Sequence, residues 1–237
     1  MNEKRTLTFT LFLLRLLSGM AGGVAGTLIT FIVYFIMNLA IPSEGGALSA
    51  VTLIIMTFAG TLIANTITAV MLTFMDSEKY SRRRTTILHV FAFNVILFVL
   101  TIPLYLIAAT SDIMLPVIAL HFLLSAFVSA LIMEILAGYG YSLLGVYSVS
   151  LGSFLSISFG FLYLAYSENA YFITLGAMPI VWFILMIVGG LVELIYDNFL
   201  HYYGVDALNT GTDLGGDEVE ELEGEDDDEA NEDGDDE

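Results

Sequence analysis

Cysteine is absent from this chain of 237 residues, and its absence excludes several kinds of chemistry. Without thiols there are no disulfides, thiolate nucleophiles, iron–sulfur clusters or cysteine-based zinc sites. Histidine is scarce as well, with three residues and no HExxH arrangement, so the metalloprotease motif is missing too. The sequence therefore predicts no catalytic residue, no metal site and no cofactor, and we expect the protein not to be an enzyme.

Basic residues are also few, with 7 Lys and Arg against 26 Asp and Glu. Seventeen of those acids lie at or beyond Asp206, which leaves 26 − 17 = 9 acids and 7 bases in the preceding 205 residues. The acidity therefore belongs to the C-terminal tail. The short basic run Arg82–Arg84 is typical of an orientation anchor or a contact with anionic lipid, and we predict no nucleic-acid partner.

Long apolar stretches dominate the rest of the chain. Hydrophobic residues make up 57% and the mean hydropathy is +0.82, whereas a soluble domain has about 45–50% apolar residues. A membrane-spanning helix needs about 20 apolar residues. Six stretches are long enough: Leu17–Leu39, Ala50–Phe74, Thr86–Ala108, Ile113–Ala137, Tyr141–Ala165 and Phe172–Ile195. Because lipid offers no partner for backbone polar groups, the predicted fold is all-α, a polytopic membrane helix bundle of about six transmembrane helices.

Three regions follow from this pattern: an interfacial N-terminal segment (1–16), a six-helix transmembrane domain (17–200) and an acidic tail (201–237). In the first region we expect a lead-in helix from which Arg15 reaches toward lipid headgroups. All seven basic residues lie at or before the first stretch or between the second and third. Because basic loops stay in the cytoplasm, both termini are predicted to be cytoplasmic. A prokaryotic plasma membrane is the expected location, with the lipid bilayer as the first partner.

The tail is rich in Asp, Glu, Gly and Asn and has few apolar residues. Such a composition predicts a disordered segment, which its like charges keep extended. One hypothesis is that the tail binds a basic partner protein through electrostatic attraction. The other is a purely solubilising extension, and the sequence leaves both open.

Charged residues within the apolar stretches form a candidate site. Arg15, Glu134 and Glu193 all fall near the predicted cytoplasmic side. A charge inside a span costs a few kcal/mol, so each requires a partner or a role. The sequence therefore predicts an intramembrane charge cluster, which serves either as a structural clamp or as a proton or cation relay.

Three uncharged polar residues lie nearer the middle of their spans: Asn65, Asn94 and His121. Interhelical hydrogen bonds from such residues contribute about 0.6 to 2 kcal/mol and hold helices in register. The alternative is a binding site for a substrate, in which His121 would be the group that titrates near neutral pH.

Glycines repeat at four-residue spacing in the first stretch, in the overlapping pairs Gly19/Gly23 and Gly22/Gly26. Such pairs allow two helix backbones to approach closely. The spacing predicts tight packing, either inside the chain or with a partner subunit or second copy in a homo-oligomer.

Two functions from different classes are consistent with these features. The first is a small solute-binding or transport subunit of the plasma membrane, because the layout is similar to that of small solute-capturing transporter subunits. It predicts that Asn65, Asn94 and His121 share one cavity. The alternative is a structural or assembly protein whose acidic tail recruits a basic partner, and it predicts a filled bundle.

Overall fold

A computed structural model describes residues 7–40, 50–111, 113–137, 142–166 and 176–196, and the acidic tail lies outside these residues. The described residues form six helices: α1 Phe9–Ala40, α2 Ala50–Met75, α3 Arg83–Ala109, α4 Met114–Ile135, α5 Ser142–Tyr166 and α6 Met178–Ile195. All but α5 are long and apolar enough to cross a membrane, and α5 contains the shorter apolar stretch Leu144–Gly160. The predicted all-α membrane bundle is confirmed.

The helices pack in chain order into a closed arrangement. Each helix contacts the next, and α1 contacts α6. Helix α4 also contacts α2 and α6, so it has neighbours on four sides. Large apolar side chains are buried at the centre, among them Trp182, Phe122 and Met56, while others such as Leu28, Leu100 and Phe154 are exposed on the outside. That exposed apolar surface is the one that lipid covers in a membrane bundle.

The beginning of α1 differs from the predicted interfacial segment. The helix starts at Phe9 and continues without a break to Ala40, so residues 9–16 are its first two turns. The expectation that Arg15 reaches toward headgroups is wrong, because Arg15 is 7% exposed and contacts Asp76 and Glu193. A guanidinium forms strong charge-assisted hydrogen bonds with carboxylates, and both carboxylates that bind Arg15 lie inside the bundle.

The glycines of α1 occupy two faces of that helix. A Cβ atom added to Gly22 would lie 2.7 Å from the backbone nitrogen of Thr68 on α2. One added to Gly23 would lie 2.7 Å from the backbone nitrogen of Pro179 on α6. Gly22 and Gly26 therefore permit contact with α2, and Gly19 and Gly23 permit contact with α6. A homo-oligomer or a partner subunit that uses α1 stays a prediction, and it would have to approach the remaining apolar face.

Candidate functional site: two buried polar layers

Six side chains form a buried cluster, here called the charged layer, at the end of the bundle where α1 and α3 begin and α2, α4 and α6 end. They come from α1, the end of α2, the turn between α2 and α3, α4 and α6. The members of the charged layer are Arg15, Asp76, Lys79, Tyr80, Glu134 and Glu193, and each is less than 9% exposed. Its position follows from the alternating direction of consecutive helices, which brings these helix ends to one level.

Arg15 binds two carboxylates from different helices. Its Nη1 lies 2.5 Å from Glu193 Oε2, and its Nη2 lies 2.6 Å from Asp76 Oδ2. The Nε atom also donates to Asp76 Oδ2 at 2.8 Å. The guanidinium thereby uses all three of its nitrogen atoms to join α1 to the end of α2 and to α6.

Lys79 forms the second centre of the layer. Its Nζ lies 2.5 Å from Glu193 Oε1 and 2.8 Å from Glu134 Oε2. The other oxygen of Glu134 accepts a hydrogen bond of 2.7 Å from the Tyr80 hydroxyl. Glu193 therefore bridges Arg15 and Lys79, and the α2–α3 turn is fixed to the ends of α4 and α6.

Burial and the neighbouring carboxylates have opposite effects on the pKa of Lys79 but act in the same direction on that of Tyr80. Burial disfavours the charged form of Lys79, but the nearby carboxylates of Glu134 and Glu193 outweigh it and raise its pKa. Burial, aided by the negative charge of Glu134, raises the pKa of Tyr80. Both side chains therefore keep their protons in the folded state well into the alkaline range.

The formal charges of the layer do not cancel. Two cations, Arg15 and Lys79, face three carboxylates, Asp76, Glu134 and Glu193, so 2 − 3 gives a formal charge of −1. Each carboxylate still has at least one cationic partner within 2.8 Å. Removing a cation therefore leaves more uncompensated charge than removing the bridging carboxylate.

Helix α5 closes the charged layer on the side of Glu134. A Cβ atom added to Gly145 would lie 2.6 Å from Glu134 Cβ and 2.8 Å from its Cδ. Only a glycine allows α5 to approach the carboxylate this closely. Glu134 is thus enclosed by α5 as well as by its ion-pair partners.

A second buried cluster, here called the amide layer, lies deeper in the bundle. Asn65 Nδ2 donates to Asn94 Oδ1 at 2.8 Å, and Asn65 Oδ1 accepts from Trp182 Nε1 at 3.0 Å. Asn94 Nδ2 donates to Ser129 Oγ at 2.8 Å and to the carbonyl oxygen of Val90 at 2.7 Å. These bonds connect α2, α3, α4 and α6, and they occupy both amide oxygens.

His121 lies apart from the amide layer. It is 8 residues from Ser129 along α4, or about 12 Å at the helical rise. Its Nδ1 lies 3.1 Å from Thr101 Oγ1, and its ring packs against Phe98 and Tyr105, with centroids 6.3 and 5.8 Å away. The structure therefore brings Asn65 and Asn94 together and gives His121 a separate aromatic environment.

The charged residues named from the sequence do meet in one network. Arg15 contacts Glu193 directly, and Lys79 links Glu134 to that pair. Sequence reasoning missed Asp76, Lys79 and Tyr80, because they follow the apolar stretch of α2 and resemble a solvated loop. The signal was the mismatch between one predicted intramembrane cation, Arg15, and two carboxylates, which required a further basic residue nearby.

The arrangement of side chains limits the chemistry that the two layers can support. Among the described residues, no group of three or more His, Asp and Glu side chains is arranged to hold a metal ion. The charged layer holds oppositely charged groups together, and the amide layer satisfies its members' hydrogen bonds internally. Both arrangements stabilise contacts between helices.

Comparisons of the chain with protein-family models, with curated proteins and with solved structures found no match. Any functional assignment therefore rests on the sequence and the geometry described above.

Proposed function

We propose that this protein is a membrane-embedded scaffold that presents its acidic C-terminal tail to a basic partner protein. The observation that supports this proposal is the closed hydrogen bonding of the amide layer. Asn65 and Asn94 bind each other, Trp182 and Ser129, so their oxygens are already occupied. A solute-binding site would need such groups to face a shared space with His121, which instead lies about 12 Å away along α4.

The charged layer suits the same role. It fixes the start of α1, the α2–α3 turn and the ends of α4 and α6 to one another. Helix α6 ends in this layer, and the tail follows α6 in the sequence. Helix ends joined by ion pairs, followed by a tail with 17 acids and no Lys or Arg beyond residue 205, would together present an anchored polyanion. Under the positive-inside rule this polyanion faces the cytoplasm of a prokaryotic cell.

Photocrosslinking in living cells tests this function. A photoreactive amino acid replaces Gly224 in the full chain, and adducts are identified by mass spectrometry. We expect the tail to capture a basic cytoplasmic protein. Capture should fall at least tenfold when the surrounding acids are neutralised, as in Glu225→Gln, Asp226→Asn, Asp227→Asn and Asp228→Asn.

A matched control keeps the charge and changes the order. Shuffling residues 207–237 preserves the acids, so electrostatic capture should survive with most of its yield. Equal yields of the same adduct from the native and the neutralised tails would refute the docking role. Membrane insertion of every variant is checked by protease protection of the bundle.

Transport remains the second candidate, and the charged layer is the observation that favours it. Buried carboxylates in a membrane domain are frequently proton or cation carriers, and Glu193 bridges two cations here. Reconstitution into liposomes that contain a pH-sensitive dye tests the idea under an imposed pH gradient. Proton flux that is abolished by Glu193→Gln would support the relay. Flux through the wild-type protein equal to that of empty liposomes would favour the scaffold function.

A further inference from the structure

The first turn of α3 carries a group of arginines, here called the basic patch. It consists of Arg82, Arg83 and Arg84. Arg82 and Arg84 are exposed, and the guanidinium carbon of Arg83 lies 4.3 Å from the ring centroid of Phe74. This cation–π contact holds one arginine against the end of α2. Glu78 in the preceding turn is an exposed acid, and among the described residues the three arginines outnumber the exposed carboxylates beside them.

Arginines at the N-terminus of α3 are unfavourable for the stability of that helix. The N-terminus of a helix carries a partial positive charge, so acids stabilise it and bases destabilise it. The first turn of α3 contains no acid, and Arg82 at its N-cap provides no side-chain cap. The helix end and the arginines therefore add their positive potentials, and an anionic group bound there from outside would stabilise both.

The ion pairs of the charged layer place the end of α6 close to the basic patch. Glu193, near the end of α6, contacts Lys79, and Lys79 is five residues before Arg84, at most about 18 Å away along the chain. The ten residues from Tyr196 to Asp206 extend up to about 35 Å. The tail consequently starts within reach of the basic patch.

Charge complementarity indicates that the acidic tail is the group that binds the basic patch. Beyond Arg84 the sequence has no basic residue, and from Asp206 onward it has 17 acids. Of the seven bases, Arg15 and Lys79 are buried in ion pairs, so the basic patch is the main exposed cation cluster of the described residues. We propose that the acidic tail docks on the basic patch of its own bundle, and that a basic partner must displace the patch to bind the tail.

The chain is well suited to a distance measurement, because it has no cysteine. Spin labels are attached through Ser81→Cys, beside the patch, and Gly224→Cys, in the tail, of the purified full chain in phosphatidylcholine nanodiscs. The 28 residues between Tyr196 and Gly224 would give a separation of about 30 Å or more for an undocked flexible chain. We expect a clearly shorter distance at low salt, and an increase of about 10 Å or more in 1 M salt, where the screening length is about 3 Å.

Two variants with the same charge change test the patch. Arg83→Gln with Arg84→Gln should give the long separation even at low salt. Lys4→Gln with Arg5→Gln removes as much charge from the N-terminal segment and should leave the separation short. A label pair at Ser111→Cys and Gly224→Cys, which measures from the opposite end of α3, should report a long distance in every protein.

Two outcomes would overturn the proposal. The first is a separation that the Arg83/Arg84 variant does not change, or that the Lys4/Arg5 variant lengthens equally. The second is a long separation in phosphatidylcholine together with phosphatidylglycerol binding that needs Arg83 and Arg84, which would make the patch a lipid contact. The proposal shares the tail with the proposed function, but no partner is present in this experiment. Loss of self-docking therefore leaves partner capture to be judged independently by crosslinking.

Discussion

The charged layer and the amide layer lie in the same bundle, 11 residues or about 16 Å apart along α2, yet they hold it together by different chemistry. In the charged layer, Arg15 and Lys79 each contact two carboxylates. In the amide layer, Asn65 and Asn94 make neutral hydrogen bonds. Neutral interhelical bonds contribute modestly in membranes, whereas an orphaned buried charge is costly. The two layers should therefore differ strongly in their tolerance of substitution.

The largest effect is expected at Arg15. Arg15→Met removes the guanidinium that binds Asp76 and Glu193 and changes the formal charge of the charged layer from −1 to −2. Breaking a buried pair in this way costs about 3–5 kcal/mol. Chemical unfolding in detergent, followed by circular dichroism, measures the loss.

The matched control is Glu193→Gln. It leaves Arg15 paired with Asp76 and Lys79 paired with Glu134, and it brings the formal charge to zero. We expect a clearly smaller loss of stability than for Arg15→Met. Equal losses would show that the number of ion pairs, and not the charge balance, determines the stability of the layer.

Alkaline pH should weaken the charged layer and leave the amide layer unaffected. The pKa of Lys79 is raised above its ordinary value of 10.5, and that of Tyr80 above 10.0. Between the ordinary and the raised pKa, the unfolded chain releases these protons while the folded one keeps them. Stability should therefore be complete below about pH 10 and fall above it by up to about 1.4 kcal/mol per pH unit for each group.

Unfolding free energies measured between pH 8 and pH 12 give this slope. Lys79→Met removes the contribution of the lysine and Tyr80→Phe that of the tyrosine, so each variant should show a shallower alkaline decline than the wild type. An unchanged slope in both variants would exclude these two groups as its source.

A substitution at a tight helix contact, which involves neither layer, should have an intermediate effect on stability. A Cβ atom in Gly22→Ala would lie 2.7 Å from the backbone nitrogen of Thr68, so α1 and α2 must separate. Overpacking of this kind costs about 1–3 kcal/mol. The control is Gly189→Ala, whose Cβ meets only Ser148 Oγ, at 3.9 Å, and which should be neutral or slightly stabilising.

The smallest effect is expected in the amide layer. Asn65→Leu deprives Trp182 Nε1 of its acceptor and Asn94 Oδ1 of its donor, at a cost of about 0.6 to 2 kcal/mol. Adding Trp182→Phe to Asn65→Leu removes the orphaned donor, so the double variant should lose less than the sum of the single losses. A loss for Asn65→Leu as large as that for Arg15→Met would contradict the difference between the layers.

Part of the candidate site was predictable from composition and part was not. Arg15, Glu134 and Glu193 stand out because each is a charge in an apolar stretch, and charges there require partners. Asp76 and Lys79 follow the apolar stretch of α2, where the same residue types are usually solvated. Only the approach of α1, α4 and α6 to the α2–α3 turn makes them buried, and no local pattern encodes that approach.

The sequence by itself determined the helical membrane bundle, because an apolar stretch of about 20 residues in lipid must satisfy its own backbone hydrogen bonds. It also placed 17 of the 26 acids at or beyond Asp206 and all seven Lys and Arg residues at or before Arg84, since these are matters of position along the chain. Only the tertiary structure decided which polar side chains meet. It joined Asn65 to Asn94 and left His121 beside Thr101, because partners depend on how far helices are displaced and rotated relative to one another. It also directed the glycines of α1 to α2 and α6, a choice between neighbours that the spacing alone leaves open.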